Sequence, residues 1–490
     1  MKTTSGSPTN STRSRTAAGP LVAGLCLSWT VALSAAPAGS PNWPHWRGPL
    51  ANGIAPAGNP PTTWSETENV KWKVKIPGNG FSTPIIWGNQ IFLQTAIATG
   101  KKVEPSAAEK KEARLYSPQV FGQAQNPGDN TPPGEGQRRR RGPGGPGGGG
   151  FGRGEKPTEL QQFALLSLDR ATGKIQWQKT VREEVPHEGH HRDHTFASHS
   201  PVTDGTHVYS WFGSRGLHCY DLNGHLKWQK EFGQLRTANG FGEGNSPALH
   251  GNTLIVNWDH EGEDFIAALD KTTGKELWRN ARDERTTWTT PLIVEHDGRA
   301  QVVVTASQRI RSYDLATGKQ IWECGGMTAN VIPTPVSDFG MVYAISGFRG
   351  ASLLAIKLGK TGDLTGTDAI SWKHTKATPY VPSPLLYGDK IYFYSGNNAI
   401  LSCLNAKTGE AIFTEQRLEG PSGIYASPVG AGGRIYLAGR NGTSVVLKQS
   451  DKFETLATNK LDEKFDASPA IVGNELFLRG HESLYCIAEK

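Results

Sequence analysis

The chain has 490 residues, of which 36% are hydrophobic, so its length suggests two or three domains with enough apolar material for a large core. Its formal charge of +7 arises in two segments: residues 1–38 carry three Lys/Arg and no Asp/Glu, and residues 101–160 carry eleven Lys/Arg against seven Asp/Glu. The rest is neutral, which argues against a nucleic-acid-binding protein, because recognition of a phosphate backbone needs a concentrated basic surface.

The first 38 residues predict an export signal. Arg13 and Arg15 precede an apolar run from Leu21 to Leu33, which ends in small residues. We expect cleavage after Ala38, which places the mature protein in the periplasm or outside the cell without a membrane span. An uncleaved anchor is the alternative, although the run is short for a membrane helix.

Residues 69–490 contain eight copies of a small residue followed by proline, and residues 39–68 form a lead-in to them. From the second copy onward, the prolines are 46, 44, 44, 49, 44 and 41 residues apart, a period typical of four-stranded propeller blades. The eight prolines are Pro84, Pro201, Pro247, Pro291, Pro335, Pro384, Pro428 and Pro469.

A second signature recurs later in the units: an Asp or Asn, then Thr-Gly, then an aromatic residue seven or eight positions after the first. It begins at Asp169, Asp221, Asp270, Asp314 and Asn405, although at Asp221 the turn lacks the threonine. The glycine suits the hairpin between the two outer strands, because a tight turn requires positive φ. We interpret the repeated acids as scaffold rather than catalysts, and we expect the indoles to pack against the next blade.

The two ends of the repeat region predict how the ring closes. The last unit stops before any Trp-containing strand, whereas residues 70–74 supply such a strand before the first proline. The predicted fold is therefore all-β: an eight-bladed propeller of four-stranded antiparallel blades, in which the N-terminal strand completes the last blade. This closure removes the open edges of a linear array and makes residues 69–490 one domain.

A Gly/Pro/Arg-rich insert, about residues 101–160, interrupts blade 1 between its second and third strands. It lacks the apolar periodicity needed to fold alone, so we expect a disordered arm. The arm either contacts an anionic partner or is a tolerated surface insertion.

The loop before blade 2 is rich in histidine, and the turn of blade 3 is acidic. Imidazoles at short spacing suit a transition metal, and a carboxylate cluster suits Ca²⁺; a solvated histidine loop and a solvated acidic turn are the alternatives. The candidate metal ligands are His187, His190, His191, His194, Asp259 and Glu261.

The turns between the second and third strands of five blades each carry an arginine. Inward-pointing guanidinium groups would form a positive rim around the channel, whereas outward-pointing groups would be ordinary surface charge. Together with one tryptophan they give a candidate ligand-binding face of Arg215, Arg309, Arg349, Arg440, Arg479 and Trp258.

The proline signal and the Asp-x-x-Thr-Gly-Lys-x-x-Trp pattern resemble the repeats of the pyrroloquinoline-quinone (PQQ) type of β-propeller. The lead-in from Trp43 to Pro49 is similar to the segment before the ring in secreted bacterial members. The resemblance implies either a quinoprotein dehydrogenase, with PQQ and Ca²⁺ as cofactors, or a cofactor-free scaffold such as the propeller of the outer-membrane β-barrel assembly machinery. The adjacent cysteine pair typical of the alcohol dehydrogenases is missing from the sequence.

The residues and the family resemblance predict two alternative functions. The favoured one is an exported, non-enzymatic binding protein or assembly scaffold of the cell envelope, whose partner is an envelope protein, a peptide or an anionic glycan. The alternative is a PQQ-dependent dehydrogenase that oxidises alcohols or sugars. No catalytic residue is assigned, because the sequence carries no recognisable acid-base set.

Overall fold

The computed structural model describes residues 42–104 and 157–489, which form eight β-sheets. Each of the first four blades begins with a short inner strand and continues outward through antiparallel neighbours. Their strands are β3 Ile85–Trp87, β4 Gln90–Lys102, β5 Glu159–Asp169 and β6 Ile175–Glu184 in blade 1; β7 Val202–Thr203, β8 His207–Trp211, β9 Leu217–Asp221 and β10 Leu226–Lys230 in blade 2; β11 Ala248–His250, β12 Thr253–Trp258, β13 Asp264–Asp270 and β14 Glu276–Arg282 in blade 3; and β15 Leu292–His296, β16 Arg299–Val304, β17 Ile310–Asp314 and β18 Gln320–Cys324 in blade 4.

Blades 5 to 8 repeat the pattern. Their strands are β19 Val336–Asp338, β20 Met341–Ser346, β21 Ser352–Lys357 and β23 Ile370–His374 in blade 5; β24 Leu385–Tyr387, β25 Lys390–Tyr394, β26 Ile400–Asn405 and β27 Ala411–Arg417 in blade 6; β28 Val429–Ala431, β29 Arg434–Ala438, β30 Thr443–Lys448 and β31 Thr455–Lys460 in blade 7; and β32 Ala470–Val472, β33 Glu475–Arg479, β34 Ser483–Ile487 and β2 Val70–Lys75 in blade 8. Two short strands add to this frame, β1 Ile54–Ala55 beside β28 and β22 Gly362–Asp363 beside β18, and two single 3-10 turns span Gly213–Arg215 and Ala238–Gly240.

The eight-bladed all-β propeller is confirmed, and so is its closure. Strand β2 pairs antiparallel with β34, with Val70 opposite Ile487 and Lys75 opposite Ser483. The last sheet is therefore completed by a strand that precedes the first blade in sequence. The predicted signal and most of the predicted insert lie outside the described residues.

The glycine-containing turns between the two outer strands join neighbouring blades through tryptophans, as predicted, although Trp322 bonds Gln301 of its own blade. In five blades the indole N–H of the outer-strand tryptophan donates to a backbone carbonyl in the turn of the next blade. At the first of these junctions, Trp72 bonds the carbonyl of Arg170 at 3.0 Å. A Cβ on Gly173, whose φ is +72°, would lie 2.7 Å from the Trp72 ring, so this turn requires glycine for both its conformation and its packing.

The repeated acids stabilise the same turns. Asp169 Oδ1 accepts hydrogen bonds from both the hydroxyl and the backbone N–H of Thr172, and the Thr172 hydroxyl bond is the main cause that lowers the pKa of Asp169. Asp270 and Asp314 make equivalent bonds to Thr273 and Thr317. These carboxylates are therefore scaffold, as interpreted from their repetition.

The antiparallel order places two kinds of loop on one face of the ring, here called the upper face: the loop that leads into each inner strand and the turn between the second and third strands. The lead-in segment contacts the opposite, lower face. Trp43 pairs with Ile86 of blade 1, Thr203 N of blade 2 donates to Pro44 O, and β1 pairs with β28 of blade 7. The lead-in thus spans the lower face from blades 1 and 2 to blade 7.

Candidate functional site

Eight hydroxyl residues form a ring around the channel, here called the belt. Each immediately precedes one of the eight repeat prolines, so each blade contributes one at the start of its inner strand, and all eight line a single central cavity. The members are Thr83, Ser200, Ser246, Thr290, Thr334, Ser383, Ser427 and Ser468.

Hydrogen bonds connect the belt from blade to blade. The backbone N–H of each member donates to the side-chain oxygen of the next, and seven such bonds of 2.9–3.3 Å run in order from Thr83 to Ser468. The proline that follows each member has no N–H. The residue before each repeat proline is therefore the one that links the inner strands of neighbouring blades by hydrogen bonds.

A second ring lies two residues earlier in each leading loop, because alternate residues of an extended chain face the same side. This upper ring is mostly apolar or aromatic and also lines the cavity. Its members are Phe81, Ser198, Gly244, Trp288, Ile332, Val381, Tyr425 and Asp466.

The two rings enclose a cavity of about 570 Å³, within the usual size range of small-molecule sites. The lead-in contributes Trp46 to its lining. Beside Trp46, the buried Arg47 donates to the carbonyls of Pro384, Pro428 and Asn52 at 2.7, 2.8 and 3.0 Å, with no carboxylate partner among the described residues. Burial lowers the pKa of Arg47 to about 9. The lead-in therefore contributes to the lower end of the cavity.

The histidine loop of blade 2 reaches across the upper face. Its Asp193 accepts a hydrogen bond of 3.0 Å from Arg440 of blade 7, which also forms an ion pair of 2.7 Å with Asp466 of blade 8. His481 contacts the same Asp466 carboxylate at 2.8 Å. Residues from three blades are thus joined at the mouth of the cavity.

The sequence-predicted metal ligands do not form one cluster. His191 and His194 line the cavity, and His190 stacks edge-on against Phe196. Burial lowers the pKa of His194 to about 3, so its imidazole is neutral, and its Nε2 is buried with no hydrogen-bond partner in the described chain.

His187 belongs to a different group. Its ligand atom lies within 4.8 Å of carboxylate oxygens of Glu188 and Glu243. Burial raises the pKa of Glu188 to about 7. Arg215, 3% exposed, bonds Glu243 at 2.8 Å and Glu184 at 2.9 Å, so a guanidinium group already supplies positive charge to this cluster.

The predicted acidic ligands of blade 3 are engaged elsewhere. Asp259 forms a fully buried bidentate pair with Arg282, with distances of 2.6 and 3.0 Å. Glu261 accepts from the backbone and hydroxyl of Thr286 at 3.1 and 2.9 Å. Trp258 is 2% exposed and packs in the core with Phe265. Each of these side chains has a structural partner.

The five predicted rim arginines occupy different environments. Arg440 bonds two residues of the cavity lining, and Arg349 lines a separate upper groove of about 1130 Å³ that also includes Glu261. Arg309 bonds Asp363 at 3.1 Å and is partly exposed, while Arg215 is buried in the cluster with Glu243. Arg479 is 2% exposed and donates to the carbonyls of Ser82 and Gln94, directly beside the belt.

A sequence model described as "outer membrane protein assembly factor BamB" matches residues 162–415, more than half of the chain. The chain belongs to this family of PQQ-like β-propellers. No curated protein matches the chain.

Three solved structures illustrate what this PQQ-like propeller is similar to. BamB from Moraxella catarrhalis is 16% identical over 67% of this chain and 89% of its own, with a TM-score of 0.45. A quinohemoprotein alcohol dehydrogenase from Comamonas testosteroni is 9% identical over 92% of this chain and 81% of its own, with a TM-score of 0.54. A europium-containing methanol dehydrogenase is 9% identical over 89% of each chain, with a TM-score of 0.53. At these identities the dehydrogenase structures show the fold alone.

The residues of this PQQ-like propeller do not fit the quinone site that the resemblance implies. The four described cysteines, Cys219, Cys324, Cys403 and Cys486, are buried as free thiols in separate blades. Burial raises the pKa of Cys219 and of Cys403 to about 12, as expected for inert packing residues. The two carboxylates that line the cavity, Asp193 and Asp466, are both held by Arg440.

Among the described residues, no helix has the length and apolar character required to cross a membrane. The belt and Arg47 were missed as site residues in the sequence analysis. The belt was visible as a hydroxyl residue before every repeat proline, and the upper ring lies two positions earlier. Nothing local in the sequence indicated that Arg47 would bond to blades more than 300 residues away.

Proposed function

We propose that this PQQ-like propeller is an exported, non-enzymatic binding protein or assembly scaffold of the cell envelope. The observation that carries the proposal is the central cavity, bounded by the belt and upper ring and lined in part by the lead-in. Its walls combine hydroxyl groups with aromatic side chains, which is the composition of a recognition site.

The two carboxylates of the lining and His194 favour binding over catalysis. A general base needs a free acceptor atom directed at substrate, whereas Asp193 and Asp466 are both engaged with Arg440. Burial keeps His194 neutral with its pKa at about 3, far from the range useful for proton transfer at neutral pH. The family description, which names an outer membrane assembly factor, supports an envelope location.

Turnover measurements test the proposal against the dehydrogenase alternative. Purified protein is incubated with PQQ and Ca²⁺, and dye reduction is followed with alcohols and aldose sugars as electron donors. We expect no protein-dependent rate and no quinone absorbance band that co-purifies with the protein. Saturable dye reduction would overturn the proposal in favour of a quinoprotein dehydrogenase.

A further inference from the structure

We infer that the belt cavity binds a saccharide unit that bears a carboxylate, such as a uronic acid residue of a glycan. The inference rests on the proposed binding function and names the ligand class of the same cavity. Three features support it: the remaining hydrogen-bonding capacity of the belt, the aromatic side chains above it, and the buried positive charge beside it.

The belt has unused donors and acceptors. Seven of its hydroxyl oxygens each accept one backbone N–H, and within the described chain these hydroxyls donate no hydrogen bond to protein. A hydroxyl has one O–H and two lone pairs, so each of the seven keeps one donor and one acceptor. A polyol has the same dual character, because each of its hydroxyls also donates and accepts.

The upper ring supplies aromatic side chains at fixed positions. Trp288 donates its indole N–H to Gly242 O at 2.7 Å, which fixes the ring beside the cavity. Tyr425 lies under the Arg440 guanidinium, 4.1 Å from its ring centre. Sugar rings present apolar C–H groups as well as hydroxyls, so they match a wall that is aromatic above and hydroxylated below.

Positive charge beside the belt favours an acidic sugar over a neutral one. Arg47 bonds the carbonyls of Pro384 and Pro428, which directly follow belt residues, and Arg479 bonds the carbonyl of Ser82, which directly precedes one. Both are buried, and neither has a carboxylate partner among the described residues. An unpaired buried charge is costly, so a nearby anion is stabilised.

The carboxylates of the cavity do not cancel this charge. Asp193 and Asp466 share Arg440, and Asp466 also contacts His481. Arg192, which lines the cavity and is exposed, forms an ion pair of 3.8 Å with Asp193, so Arg192 and Arg440 balance the two carboxylates. These groups together comprise four guanidiniums and two carboxylates, with the positive excess concentrated at Arg47 and Arg479 beside the belt.

Isothermal titration calorimetry on the full chain tests the inference with three matched probes: D-galacturonate, its neutral methyl ester and D-galactose. We expect galacturonate to bind at least tenfold more tightly than the ester or galactose, and this preference to shrink as NaCl is raised. The comparison is made between ligands on the unaltered protein, so it does not depend on a variant that folds.

Belt variants locate the site. Replacing Ser383 and Ser427 together by alanine removes two hydroxyls beside Arg47, and we expect affinity for all three sugars to fall at least fivefold. Ser402→Ala is the matched control, because its hydroxyl also accepts a backbone N–H, from Glu415, but lies outside the cavity. Thermal melts of each variant confirm that it is folded before titration.

The outcomes separate this inference from the proposed function. Equal binding of galacturonate and galactose would overturn the role of charge and leave the cavity as a binding site. If none of the three sugars gives heat of binding, the ligand is not a saccharide of this kind and the inference is overturned. Tight binding of an acetylated peptide with a free C-terminus, in place of the sugars, would overturn it as well. Only turnover in the dye assay would overturn the non-enzymatic function itself.

Discussion

Two ionisable side chains in the loop that leads into blade 2, the partly buried Glu188 and the buried His199, couple folding to pH. Glu188 accepts two hydrogen bonds from Thr237, yet burial still raises its pKa to about 7 from an ordinary 4.5. The folded protein therefore binds this proton more tightly than the unfolded chain. The stability contributed by protonated Glu188 is full below pH 4.5 and is lost as the pH rises through 7.

Glu188→Gln removes this titration while keeping the shape of the side chain. We expect the variant to melt higher than the natural protein at pH 8, and to lose this advantage at pH 5, where Glu188 is protonated. Scanning calorimetry at both pH values measures the difference, with exposed Glu68→Gln as the control. An equal difference in melting temperature at pH 5 and pH 8 would contradict the assignment.

The stability that His199 contributes has the opposite dependence on pH. The His199 side chain is 1% exposed, neither ring nitrogen has a partner among the described residues, and burial lowers its pKa to about 3 from 6.5. The folded state therefore prefers the neutral ring, and the associated stability is present above pH 6.5 and lost as the pH falls toward 3. We expect His199→Leu to reduce the acid-induced fall in melting temperature between pH 7 and pH 4.5. If the melting temperature of His199→Leu falls between pH 7 and pH 4.5 as much as that of the exposed His225→Leu control, this assignment to His199 is refuted.

The lead-in is the element that sequence reasoning explained least. Its residues showed a family resemblance, but no period or turn signal indicates a segment that spans the lower face. The structure explains its pattern: Gly53 has a φ of +90°, and a Cβ there would lie 2.6 Å from Arg47 Nη2. The glycine is needed both for its backbone conformation and for the close approach of the arginine.

Arg47→Met tests whether the lead-in is clamped by this residue. The substitution keeps much of the apolar stem but leaves the carbonyls of Pro384 and Pro428 without their donor. We expect a loss of about 2–5 kcal/mol in the free energy of unfolding, because buried acceptors lose charge-assisted bonds. Denaturant titration measures it, with Arg192→Met as the exposed control, whose side chain is 86% exposed. Equal stability of the two variants would show that the clamp is unimportant.

The repeats explain why the ring itself could be predicted from sequence. The proline signal, which recurs every 41 to 49 residues from the second copy onward, and the Thr-Gly-Trp turns are local patterns, so blade number and closure followed from counting. The site depends instead on side chains from distant blades. The histidines of one loop were predicted as one ligand set, but the structure distributes them between the cavity lining and the Glu243 cluster, because the loop bends across the upper face.

Closure of the whole molecule depends on β2. A chain beginning at Val70 keeps β2 without the lead-in, whereas a chain beginning at Ile76 lacks both and leaves β34 with an unpaired edge. We expect the first to unfold in one cooperative transition and the second to be strongly destabilised and to aggregate, because an exposed edge strand templates pairing between chains. Light scattering and thermal unfolding distinguish them. A soluble, equally stable shorter chain would contradict the importance of this closure.

The central claim is that the belt cavity is the binding site. Its most direct test is affinity capture from envelope extract, which compares the natural protein with a variant whose cavity is filled by a larger side chain. Val381→Trp fills the upper ring, and Val381→Ile is the matched control at the same position. We predict that the natural protein and the isoleucine variant retain the same ligand or partner, and that the tryptophan variant, folded by its thermal melt, loses it. Undiminished capture by the tryptophan variant would contradict the claim.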